Sequence, residues 1–107
     1  MLHLVTTSIH TRIRQAIAQK RLIDVRYNGR HRIAEPHDYG KLNGADRLLI
    51  YQVGSKAEPG RKATGWRMLD VPKIESLTIL EASFDGSRAD ARQSHHAWDV
   101  IYARVEP

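Results

Sequence analysis

The chain has 107 residues and 12.2 kDa, room for one domain and not two, and its 41% apolar and 27% charged residues exclude a disordered chain. Against 12 Asp and Glu stand 17 Lys and Arg, giving +5 and a pI near 9.9, a balance that favours acidic partners and is silent on fold. The absence of Cys excludes disulfides, a thiolate zinc site and a cysteine nucleophile, and no apolar run nears the roughly 20 residues that cross a bilayer. MLHLVTTSIH lacks the charged and apolar regions of a signal peptide, so a cytoplasmic protein is expected.

Residues 8–20 place Ile9, Ile13, Ala16 and Ile17 within an arc of about 100°, with Arg12, Arg14, Gln15 and Gln19 outside it, which predicts an amphipathic helix. Thr7 or Ser8 caps its start. The period then changes to two. Leu22 to Tyr27 reads as a strand, and Asn28-Gly29 as a type I′ hairpin turn, which needs positive φ at both central residues. Arg30 to Ala34 returns as the second strand and ends near Pro36, which has no N–H for a ladder. The two-residue turn sets Tyr27 opposite Arg30, Arg26 opposite His31 and Val25 opposite Arg32. Arg32 then shares a face with Ile23, Val25 and Tyr27, costly for a charge unless it meets an anion or a carboxylate; a bulge is the alternative.

Leu48 to Val53 is nearly continuous apolar sequence, as in a central strand covered on both faces. Trp66 to Val71, stopping at Pro72, and Ser76 to Leu80 are further strands, with Phe84 as a core plug. Gly40 and Gly44 bracket a loop, and Ser55 to Thr64 is a polar, basic loop with a Pro-Gly turn. Asp85 to Ala97 is a second polar stretch, and WDVIYARV fits either a strand or a helix. One N-terminal helix and about five short strands predict a mainly β domain, a small antiparallel barrel whose closure removes exposed edges.

RQAIAQKRLIDVRYNGR, RIAEP, DRLLIYQV and GWRMLDVPKIESLTILEASF, in that order, resemble the WYL domain family. That pattern is a helix with Ala-Ile, a strand ending in Tyr, an Arg shortly before a Pro, an aromatic-Leu strand, and an Arg-rich strand before Ile. EPHDYG and GWRML look like small stand-alone members. The resemblance covers roughly residues 12–84, and 85–107 match through HxxWD and ARV. The chain departs from the pattern where the namesake Trp-Tyr-Leu reads Arg47-Leu48-Leu49 and where Leu69 takes an aromatic position between Arg67 and Lys73. Typical members carry a winged helix-turn-helix, which the seven or so residues before the helix leave no room for. The resemblance implies one WYL-like domain over 1–107, with a helix at about 8–20, an SH3-like or Sm-like barrel at about 22–84 and a C-terminal extension over 85–107. It also implies a ligand, a nucleotide or single-stranded nucleic acid, with Tyr27, Arg32, His37, Arg67 and Lys73 at the matching positions.

The side chains themselves allow that role and, beside it, a structural one. An arginine fork clamps two phosphate oxygens, which suits Arg30, His31 and Arg32; their other reading is a solvated hairpin edge. His37 and Tyr39 can stack on a base from a connection, or lie in a Pro-led turn with Tyr39 capping the barrel. Trp66 suits a base or the core, and a regular strand points it away from Arg67. The loop from Lys56 to Lys62 tracks a phosphate backbone or is an ordinary soluble loop. His95, His96 and Asp99 lack the converging geometry of a metal site, and a nuclease using His37 or His95 lacks a second catalytic group. The expectation is a non-enzymatic, regulatory ligand-binding module without a cofactor, whose phosphate ligands are Arg32, Arg67 and Lys73 and whose Tyr27, His37 or Tyr39 add stacking or hydrogen bonds. A homodimer or a separate effector protein would carry its output. The alternative is an SH3-like protein-interaction module with no nucleic-acid ligand.

Overall fold

The computed structural model describes residues 8–55, 64–88 and 96–107. Helix α1 (Ile9–Ala18) begins where Ser8 leaves the helical region and its Oγ accepts the Thr11 N–H at 3.2 Å. It ends where Lys20 takes φ 52°, and it buries Ile13, Ala16 and Ile17, three of the four residues of the expected arc. None of the helices among the described residues is long and apolar enough to cross a membrane.

Strand β1 (Arg21–Tyr27) alternates, burying Ile23, Val25 and Tyr27. Asn28 and Gly29 turn with φ 53° and 72°, both positive as a type I′ turn requires, and the register is the expected one, with Val25 opposite Arg32. Strand β2 (Arg30–Leu42) does not stop near Pro36. The ladder to the next strand shifts register between Pro36 and Asp38, so the residue without an N–H sits at a bulge and the strand continues. A second Asn-Gly pair, Asn43 and Gly44 with φ 51° and 79°, makes the turn into β3 (Ala45–Ser55), so Gly40 is a strand residue and not the edge of a loop. Leu48, Leu49 and Ile50 are buried consecutively, as a central strand demands.

Strand β4 (Gly65–Asp70) passes through a 3₁₀ turn, Val71–Lys73, into β5 (Ile74–Ser83). The C-terminal segment is a strand, β6 (Val100–Arg104), which makes six among the described residues. The order is β4-β3-β2-β1-β5, with β6 on β2. Long β2 thus carries β3 along one edge and β1 then β6 along the other.

The sheet curls without closing. Its end strands β4 and β5 are joined by only three residues, a reach of about 14 Å, whereas five flat strands span about 19 Å. The expected closure is not made: β4 and β5 do not pair. A hairpin between them would need positive φ at the turn, and no residue from Asp70 to Ile74 has it. Helix α1 packs on one face of the curl, its Ile13, Ala16 and Ile17 meeting Ile23, Val25, Leu48, Ile50, Leu69 and Leu77, with Phe84 partly buried against them. Each fully buried aliphatic side chain contributes about 1.5–3 kcal/mol.

Strand β6 lies so close to β2 that a Cβ on Gly40 would stand 2.1 Å from the Val100 carbonyl oxygen and 3.1 Å from the Trp98 ring. Gly40→Ala is expected to destabilise the fold by about 1–3 kcal/mol in urea denaturation. Gly54→Ala, whose Cβ meets only the Ile33 Cβ at 3.9 Å, is the near-neutral control.

Candidate anion-binding site

Arg32 lies on the core-bearing face of the sheet because its partner Val25 does. Its Nη1 donates to Gln52 Oε1 at 3.0 Å, and its guanidinium carbon is 6.0 Å from the centre of the Tyr27 ring. Its Nε is buried and has no hydrogen-bond partner among the described residues. Gln52 is itself 4% exposed, the one polar side chain among the buried residues of β3. Arg67 reaches the same face from β4, opposite buried Ile50, and its Nη1 donates to its neighbour's carbonyl, Trp66 O, at 2.8 Å. Among the described residues neither arginine has a carboxylate partner.

Burial, and after it the positive charges of Arg30 and Arg67, lower the Arg32 pKa from its ordinary value. A guanidinium keeps its proton through such a shift. The conflict is therefore carried as an unmet donor and as repulsion between cations, and an oxyanion between Arg32 and Arg67 would relieve the repulsion.

The other expected site residues fall into two groups. Tyr27 joins Arg32, but its ring is in the core and its hydroxyl accepts the Asp70 N–H at 3.2 Å. Lys73 is exposed on the 3₁₀ turn, with Nζ 3.5 Å from Asp70 Oδ2, a carboxylate that also holds Arg47 Nε at 3.3 Å. Asp70 thus links Lys73 to Tyr27 and neutralises it.

His37 and Tyr39 are both 0% exposed and offer no surface to a ligand. The continuation of β2 past Pro36 carries them inward. His37 packs edge-on against Trp66 at 4.8 Å and against Phe84 at 5.6 Å; Tyr39 packs against Tyr102 at 5.0 Å and His10 at 5.7 Å. Trp66 pairs across strands with Tyr51, on the face opposite Arg67, as strand alternation predicts.

Gln52 is the site residue that sequence reasoning missed, although a lone carboxamide in LLIYQV was the available signal. His95 and the loop from Lys56 to Lys62 lie outside the described residues. Asp99 accepts the Gly44 N–H at 2.9 Å, and no group of three metal-ligating side chains occurs among the described residues.

Burial holds the His37 pKa below its ordinary value, against the smaller opposing pull of its Nδ1 hydrogen bond to the Glu35 carbonyl and of the Glu35 and Asp38 charges. The ring is neutral in the fold, while the unfolded chain takes up a proton near pH 6.5. Stability is therefore full above that pH and falls below it, by up to about 1.4 kcal/mol per pH unit until the folded ring also protonates. In urea denaturation at pH 7 and pH 5, His37→Gln is expected to lose less stability on acidification than the wild type; an equal loss would place the acid sensitivity elsewhere. No protein-family model, curated protein or solved structure matches the chain, so its functional reading rests on the geometry of Arg32 and Arg67.

Proposed function

We propose that this protein is a non-enzymatic, regulatory ligand-binding module that holds a nucleotide or short single-stranded nucleic acid by its phosphate, between Arg32 and Arg67. The observation that carries the reading is the pair of arginines on the core-bearing face that find no carboxylate among the described residues, one of them with a buried Nε that no described residue satisfies. The curled order β4-β3-β2-β1-β5 behind an N-terminal helix supports an SH3-like or Sm-like barrel open at the β4–β5 seam, in keeping with the WYL-like sequence pattern. With His37 and Tyr39 buried, recognition rests on phosphate and not on base stacking, so it is blind to base identity. Lys73 adds a cation only if a phosphate displaces Asp70. Output passes to a second copy or an effector protein.

The protein-interaction reading draws on exposed Val100 and Ile101 of β6. Salt separates the two readings. Fluorescence anisotropy of labelled short single strands, with mononucleotides as competitors, is expected to show affinity falling with salt at a slope of about 0.7 per phosphate contact. Each of Arg32→Ala and Arg67→Ala is expected to remove about 1.5–3 kcal/mol of binding. Binding that survives both substitutions, or none at low salt, would remove this site and turn the search to a protein partner.

A further inference from the structure

The opposite face of β2, β3 and β4 carries a site for a cation. Glu35 stands opposite Tyr51, and Tyr51 opposite Trp66, so alternation places all three side chains together, away from Arg32 and Arg67. Glu35 is a carboxylate only 8% exposed. Arg88, in the segment after β5, meets it as a fork: Nε donates to Oε1 at 2.8 Å and Nη2 to Oε2 at 3.0 Å. The same guanidinium lies 3.6 Å from the centre of the Tyr51 ring, which Trp66 backs edge-on at 5.2 Å. Two parallel acceptors closed by an aromatic face match a guanidinium in shape and charge, and an ammonium cannot make both bonds in that plane.

We infer that Glu35, Tyr51 and Trp66 form a guanidinium-binding site, filled by this chain's own Arg88 and taken over by an arginine side chain of a partner polypeptide. The recess is built on three paired strands, whereas its occupant sits on a segment without helix or strand. The Arg88 side chain is 38% exposed, so the occupant of the recess is itself in contact with solvent. His37 Nε2 is 3.9 Å from Glu35 Oε1, and the buried ring is neutral, so it does not replace the arginine charge. An empty recess would strand a buried carboxylate, which makes exchange of one arginine for another the favourable route. A tethered side chain competes at an effective concentration near the millimolar range, so the partner must add contacts beyond the arginine.

The test is calorimetric titration with Nα-acetyl-L-arginine amide and its lysine counterpart. Arg88→Ala is expected to bind the arginine probe saturably, with the lysine probe at least about tenfold weaker. The wild type, with Arg88 in place, is expected to bind the arginine probe at least about tenfold more weakly than the variant, and adding Glu35→Gln to the variant is expected to abolish binding. If Arg88→Ala is destabilised, the arginine probe and not the lysine probe is expected to raise its Tm. Equal response to both probes, or equal affinity of wild type and variant, overturns the site.

Discussion

Seven consecutive residues of β2, Ala34 to Gly40, are buried, and three of them are Glu35, His37 and Asp38. A central strand can hold charge only where each group finds a partner, because an unpaired buried ion costs several kcal/mol. Glu35 takes the fork of Arg88, and Asp38 the fork of Arg104, Nε to Oδ1 at 3.0 Å and Nη2 to Oδ2 at 3.2 Å. His37 bonds the Glu35 carbonyl through Nδ1, and its own carbonyl accepts the Val105 N–H at 2.9 Å. Arg88, Arg104 and Val105 are therefore located by β2. Such pairs specify position more than they add stability, since removing one partner costs about 3–5 kcal/mol while apolar replacement of the whole pair is often neutral.

The two faces of the same three strands treat arginine in opposite ways. On one, Glu35 gives Arg88 a carboxylate and Tyr51 gives it a ring. On the other, Arg32 donates to the neutral amide of Gln52 and Arg67 to a backbone carbonyl, and neither finds a carboxylate among the described residues. A charge-assisted pair is satisfied as it stands; a half-buried guanidinium bonded to a neutral amide has capacity to spare for an anion. The difference in partner, and not in residue type, separates an arginine already matched to a carboxylate from one suited to an anion.

Local signals were legible wherever one turn or one period decides the outcome. Ser8, the arc of Ile13, Ala16 and Ile17, and the register set by Asn28-Gly29 were all readable, and with them the position of Arg32 among Ile23, Val25 and Tyr27. The Asn43-Gly44 turn carries the same signal, but a strand that ends at Pro36 leaves it inside a loop. A proline stops a ladder only where its N–H is needed, and the bulge between Pro36 and Asp38 removes that need. Once β2 continues, His37 and Tyr39 change from loop side chains to core side chains.

The sequence by itself determined the mainly β class, the single helix, the first hairpin and the basic charge, all of which follow from φ preferences, periodicity and composition over a few residues. Only the tertiary structure decided that the C-terminal segment is a strand on β2, that the curled sheet stays open between β4 and β5, and which cations are neutralised. Arg88 and Glu35 are 53 positions apart, and Arg104 and Asp38 are 66. No local period links residues at such separations. They meet because burial in β2 makes an unpaired carboxylate too costly to leave, a condition that exists only after the strands have packed.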